Sequence, residues 1–140
     1  MITLRITKKV KDNDKDSGVV VKIVIIDSEK RVLMLARAAH HKKYPGELDL
    51  PGGHIKENEN LNKGLEREVK EETGLDILHP AFFKTIENKH FYHARYDSQP
   101  IKISDEHADY RFYKKEELDA NKDFEKIAIE VLEMIENDQH

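Results

Sequence analysis

Three glutamates on the core-facing side of a helix constrain this chain more than any other feature. From about residue 59 to residue 73 there is no proline, Leu61, Leu65 and Val69 recur at every fourth position, and Gly74 follows, the residue type best suited to a left-handed helix end. At about 100° per residue, Glu68 and Glu72 fall within a narrow arc of Leu61 and Leu65, and Glu71 lies about 60° from Glu68 on its other side. A solvated acidic face would set its charges opposite the leucines and interleave lysine at i+4. Here like charges at i, i+3 and i+4 crowd one patch, which is destabilising unless a cation occupies it. Arg67 supplies too little charge and is expected to point elsewhere. A divalent metal is the simplest answer. All-oxygen ligation in a chain without cysteine selects a hard ion, Mg²⁺ or Mn²⁺, of the kind that partners substrate phosphates.

The other elements follow from pattern and punctuation. Residues 2–10 alternate loosely and read as an outer strand, and 11–17 as a charged connector. Asp12, Asp14 and Asp16 open like a calcium loop, but Ser17 and Ile23 stand where that loop needs Gly and Glu, so a solvated loop is expected. Residues 19–26, apolar around Lys22, read as a strand buried on both faces, with 27–30 as a turn and 31–35 as the hairpin partner. Pro45-Gly46 and Pro51-Gly52-Gly53 make 38–53 a long ordered loop of functional character. Strands are expected near 81–87, 90–96 and 110–113. A last helix over 123–137 carries Phe124, Ile127, Ala128, Val131 and Ile135 as one stripe.

Composition narrows the partners. A chain of 140 residues suits one domain spanning 1–140, and 38% apolar against 37% charged residues describes a soluble, highly charged globule with a real core. Acidic residues outnumber basic ones 28 to 24, so there is no broad basic surface for long nucleic acid or an anionic membrane. No apolar run is long enough to span a bilayer, and the expected location is cytoplasmic. The absence of cysteine excludes disulfides, thiolate catalysis and cysteine-ligated zinc.

Gly53, Glu59, Arg67-Glu68, Glu71-Glu72 and Gly74-Leu75 stand in the register G-x5-E-x7-R-E-U-x-E-E-x-G-U, with U an aliphatic residue filled by Val69 and Leu75. At this chain's own residue frequencies, chance alignment of the fixed letters has a probability on the order of one in a million. The pattern is the Nudix box, and the chain resembles the Nudix hydrolases. The lead-in from Leu48 to Gly53 and the later segment from Ser104 to Phe112 also look like family segments, with Leu48 and Phe112 where tryptophan is common. The resemblance implies an α/β fold, an α/β/α sandwich with a central mixed sheet and two main helices. It implies metal-dependent hydrolysis of a phosphoanhydride in a nucleoside diphosphate linked to another moiety. On that basis Glu68, Glu71 and Glu72 hold metal with the Gly52 carbonyl. Glu68 is the first choice of general base and Glu106 the second, since family members place the base on the helix or on a later loop.

Other residues have plainer roles. Arg67 is read as orienting a carboxylate by an ion pair, and Glu59 as a structural charge near the helix start. Gly53 and Gly74 are backbone devices. Arg37, ending its strand toward the long loop, is a phosphate-binding candidate; His40 and Tyr44, with His41, Lys42 and Lys43, either contact substrate or belong to a solvated loop. His90 and His93 face opposite sides of a strand and are poor joint ligands, and Phe91 and Tyr92 read as core residues. A small nucleotide-like substrate is expected, a nucleoside triphosphate or dinucleoside polyphosphate ahead of ADP-ribose or a sugar nucleotide, on a monomer or homodimer. The alternative is a noncatalytic nucleotide-binding module, which typically loses box glutamates that this chain retains.

Overall fold

The computed structural model describes residues 15–40 and 45–138. Among the described residues seven strands form one mixed sheet: β1 (Asp16–Ile26), β2 (Val32–Arg37), β3 (Leu48–Asp49), β4 (Gly52–Lys56), β5 (Ala81–Ile86), β6 (Lys89–Arg95) and β7 (His107–Tyr113). Helix α1 (Leu61–Thr73) lies between β4 and β5, and α2 (Asp123–Asp138) follows a short 3₁₀ turn after β7. The expected α/β sandwich is the observed architecture. The outer strand expected over 2–10, with Asp12 and Asp14, lies outside the described residues, and the last part of the expected connector is already strand, since β1 starts at Asp16.

β1 organises the sheet because its apolar residues are buried on both faces. Its odd residues Val21, Ile23 and Ile25 pack with Leu65 and Val69 of α1, and its even residues Val24 and Ile26 pack with Ile127, Ala128 and Val131 of α2. Each fully buried aliphatic side chain of this kind contributes about 2 kcal/mol. One edge of β1 pairs in parallel with β6 from Val20↔Lys89 to Ile26↔Arg95. The other edge is shared. Its first half pairs antiparallel with β4, and only Ile26↔Val32 joins it to β2, which then runs on between β3 and β7. The sheet therefore splays where β1 and β2 part, and the β3–β4 segment fills the fork, with Ile23 N–H donating to the Pro51 carbonyl at 2.9 Å.

This corrects the long-loop expectation for 38–53, since Leu48–Asp49 and the residues from Gly52 onward are strand. Strand propensity is weak in a Pro-Gly-Gly segment, and only pairing with β1 makes it a strand. Helix α1 starts later than its pattern suggests, with the Asn60 side chain accepting from the N–H groups of Asn62 and Lys63 at 2.9 and 3.2 Å. Leu61 sits in that first turn and is exposed, so the buried stripe is Leu65 and Val69. The helix ends at Gly74, at φ 77°, as its position predicts.

Two glycines bring the pieces within reach of one another. Gly52 has φ 140°, and a Cβ there would stand 2.0 Å from the Val21 carbonyl oxygen. A Cβ on Gly64 would stand 2.2 Å from Ile55 Cδ1, so that glycine lets α1 rest against β4. Gly52→Ala is expected to destabilise the fold by at least about 2 kcal/mol, combining strained backbone with overpacking against a fixed strand. Urea unfolding of the variant beside the parent chain measures it.

Candidate active site at the fork of the sheet

A cavity of about 850 Å³ opens where the sheet splays. Glu68 and Glu72 of α1, Gly52 and Gly53 of β4, Arg37 of β2 and Glu106 of the loop before β7 all line it. Residues separated by tens of positions in sequence thus meet at one place, six of them singled out by the sequence.

The carboxylates differ in how they are held. Glu72 is buried, and its Oε1 accepts the Gly52 N–H at 2.8 Å. Burial pushes its carboxyl up to about 7, against the pull of the Lys22 ammonium and of the Gly52 N–H. Glu68 is raised too, by burial first, while Arg67 opposes the shift. A Cβ on Gly53 would fall 2.3 Å from Glu68 Oε2, so the absence of a side chain at Gly53 is what lets this carboxylate lie against β4. Glu71 is exposed and does not line the cavity.

Arg67 does not point away from the glutamates, contrary to one expectation, and instead makes the carboxylate ion pair of the other. Its Nε and Nη2 donate to Glu59 at 2.8 and 3.0 Å, its Nη1 donates to Glu68 Oε1 at 3.0 Å and reaches Glu71 at 3.4 Å, and its Nη2 also meets the His54 carbonyl at 3.1 Å. Glu59 precedes the helix cap and serves this cluster, also accepting the Lys56 N–H at 3.0 Å, and it acts through the ion pair instead of the helix dipole. The long guanidinium swings back along the helix, a reach that an angular projection of Cα positions does not capture.

His40 is exposed and does not line the cavity, and Tyr44 lies outside the described residues. Phe91 and Tyr92 are core residues, as read.

Sequence reasoning missed a second charged cluster on the cavity wall. Asp49, buried on β3, receives Lys22 Nζ at 3.0 Å on Oδ1, and His107 Nε2 at 3.2 Å and Arg37 Nη2 at 3.3 Å on Oδ2. Burial alone would raise the Asp49 carboxyl, but Lys22, His107 and Arg37 bring it down to about 2. The signal was the charge of Lys22 inside a strand buried on both faces, where an ion needs a partner.

Among the described residues, no three His, Asp or Glu side chains converge as a finished metal cage. What is present still fits a hard cation that keeps much of its water: two oxygen donors, Glu68 and Glu72, share one cavity wall, and burial without full neutralisation raises both.

The family model for the NUDIX domain matches residues 16–136. An 8-oxo-dGTP diphosphatase of Buchnera aphidicola subsp. Schizaphis graminum is 43% identical over 79 residues, a stretch that covers 56% of this chain and 56% of that protein. The MutT protein of Methanosarcina mazei Go1 superposes with a TM-score of 0.68 at 24% identity, over 84% of this chain and 94% of that one. A MutT NUDIX hydrolase from Burkholderia pseudomallei superposes with a TM-score of 0.67 at 21% identity, over 80% and 95%.

Glu72 makes the metal-free chain pH-sensitive. A carboxyl near 7 in the fold and 4.5 in its ordinary state binds its proton more tightly when folded, so its contribution is fully present below pH 4.5 and is lost as pH rises through about 7. In chelator, melting is expected to fall from pH 5 to pH 8 by the equivalent of up to about 3 kcal/mol. Glu72→Gln removes most of that slope in the same calorimetric scans.

Proposed function

The chain belongs to the Nudix family, and on that premise we propose that it is a hydrolase that cleaves a phosphoanhydride bond in a nucleoside diphosphate linked to another moiety. The observation that supports this most is the placing of Glu68 and Glu72, both raised by burial, on one wall of a cavity large enough for a nucleotide. A nucleoside triphosphate is the proposed substrate class, supported by the partial match to an 8-oxo-dGTP diphosphatase.

Nudix hydrolases generally need a divalent metal, and Mg²⁺, with Mn²⁺ as a substitute, is the ion proposed here. Glu68 and Glu72 with the Gly52 carbonyl would hold it; Glu71, the proposed further ligand, stands exposed beside Arg67 outside the cavity lining and would have to turn inward to join them. Bound there, the ion supplies neutralisation of phosphate charge and a lowered pKa for water.

The chain's own residues supply the rest. Glu68 is the proposed general base: Arg67 on Oε1 fixes the carboxylate, and Oε2, lying over Gly53, is the oxygen that takes the proton from the attacking water. Glu106 on the facing loop is the alternative base. Arg37, steadied by Asp49, orients the phosphates. Glu59 holds Arg67 and so acts on Glu68 at one remove.

Phosphate release from a nucleotide panel, with pyrophosphatase coupled, tests the activity; inactivity with Mg²⁺ and with Mn²⁺ across the panel would overturn it. Glu72→Gln is expected to lower kcat at least about a hundredfold with the circular dichroism spectrum unchanged. Near-parental turnover of that variant would refute the role given to Glu72.

A further inference from the structure

One carboxylate joins four strands beside the cavity: Asp49 of β3 receives Lys22 of β1 on Oδ1 at 3.0 Å, and Arg37 of β2 and His107 of β7 on Oδ2 at 3.3 and 3.2 Å. Lys22, Arg37 and Asp49 all line the cavity, whereas His107 does not. The His107 side chain is only 1% exposed, so no substrate reaches it. His107 lies opposite Arg37 in the β2–β7 pairing and spans β2 to meet Asp49 on the far side.

Packing alone does not explain a histidine at this position. An ionised carboxylate only accepts, so the ring donates to it from Nε2. That leaves Nδ1, on the other side of the ring, buried and without a hydrogen-bond partner among the described residues. A buried polar atom left unpaired costs stability that an apolar side chain of similar bulk would not lose. The bond to Asp49 is what a histidine gains over leucine here, and its consequence falls on Arg37. The torsion that turns a carboxylate about its stem is broad, with little preference of its own. Lys22 on one oxygen and His107 on the other hold the Asp49 plane from both sides. With its oxygens so engaged, Asp49 is disfavoured as the partner of a parallel two-bond fork, the pairing that would draw the Arg37 guanidinium off the cavity.

We propose that His107 is a positioning residue for the reaction: by bonding Asp49 it keeps the Arg37 guanidinium turned to the phosphates of the substrate instead of folded onto Asp49. The inference rests on the reading of Arg37 as a phosphate-binding residue and deepens it. Without the imidazole, Asp49 turns about its stem and takes Arg37 into a closed pair. His107 itself stays behind the cavity wall and acts only through its two neighbours.

Binding of α,β-methylene dGTP with Mg²⁺, measured calorimetrically, reads this without turnover. Arg37→Ala is expected to weaken binding at least about tenfold and His107→Leu about fivefold, although the second residue never meets the ligand. His107→Gln, whose amide N–H also donates to a carboxylate, is expected to bind within about twofold of the parent chain. Arg37→Ala combined with His107→Leu is expected to bind as Arg37→Ala does alone, since no Arg37 is left for the second change to act through. A purely structural His107 would instead give losses that add, and would give them for Gln as for Leu. Circular dichroism checks that each variant is folded, and nitrogen NMR of the histidines in the parent chain needs no variant: His107 is expected to carry a proton on Nε2. Full binding by folded His107→Leu, additive losses in the double variant, no binding by the parent chain, or a bare Nε2 would overturn the proposal. Coupled losses in a chain that hydrolyses no triphosphate would uphold the part of His107 and sink the enzymatic reading. Hydrolysis with additive losses would do the reverse.

Discussion

The hydrogen bond from the Gly52 N–H to Glu72 Oε1 joins the two parts on which everything else depends, a strand at the fork of the sheet and a helix laid across it. It can form only because Gly52 takes a backbone conformation at φ 140° with no room for a side chain against Val21. The same approach buries the Glu72 carboxyl, and burial lifts it to about 7. A glycine that looks like a turn signal is thus a condition of the electrostatics. The fork follows from β1 sharing one edge between β4 and β2, so the cavity is a product of topology as much as of side chains.

Charge around that cavity is sorted into two clusters, each braced by one residue of opposite sign. Arg67 gathers Glu59, Glu68 and Glu71 on the outer side of α1, and Asp49 gathers Lys22, Arg37 and His107 on the inner wall. Such pairs are weak sources of stability, because desolvation offsets most of the attraction in the buried Asp49 cluster and solvent screens the more open Arg67 cluster. Their effect here is geometric. They fix where a carboxylate and an ammonium can be, and they leave Glu72 as the buried acid whose ionisation costs most.

Much of this could be read from residues alone. The helix, its glycine end and the burial of Glu72 follow from the four-residue spacing of apolar positions, because the helix period is insensitive to context. The strands β1, β5 and β6 follow from apolar runs between turn signals. The β3–β4 segment did not, because two short strands containing Pro and Gly owe their form to pairing with β1. Arg67 was misplaced for a different reason. A long side chain reaches a full turn along its helix, and a projection of backbone angles says nothing of that reach. Asp49 and His107 were invisible as a cluster, being 58 positions apart and brought together only by β2 standing between β3 and β7.

The central claim is that the buried Glu72 carboxyl, held by Gly52, is where a divalent cation takes the place of a proton. Proton release on titration with Mn²⁺, measured calorimetrically at pH 6.5 in buffers of different ionisation enthalpy, tests it without any substrate. The account predicts that binding releases a substantial fraction of a proton, that the fraction shrinks toward zero near pH 8.5, and that Glu72→Gln abolishes it. Binding of the cation with no proton released at pH 6.5, or with the same release in Glu72→Gln, would contradict it.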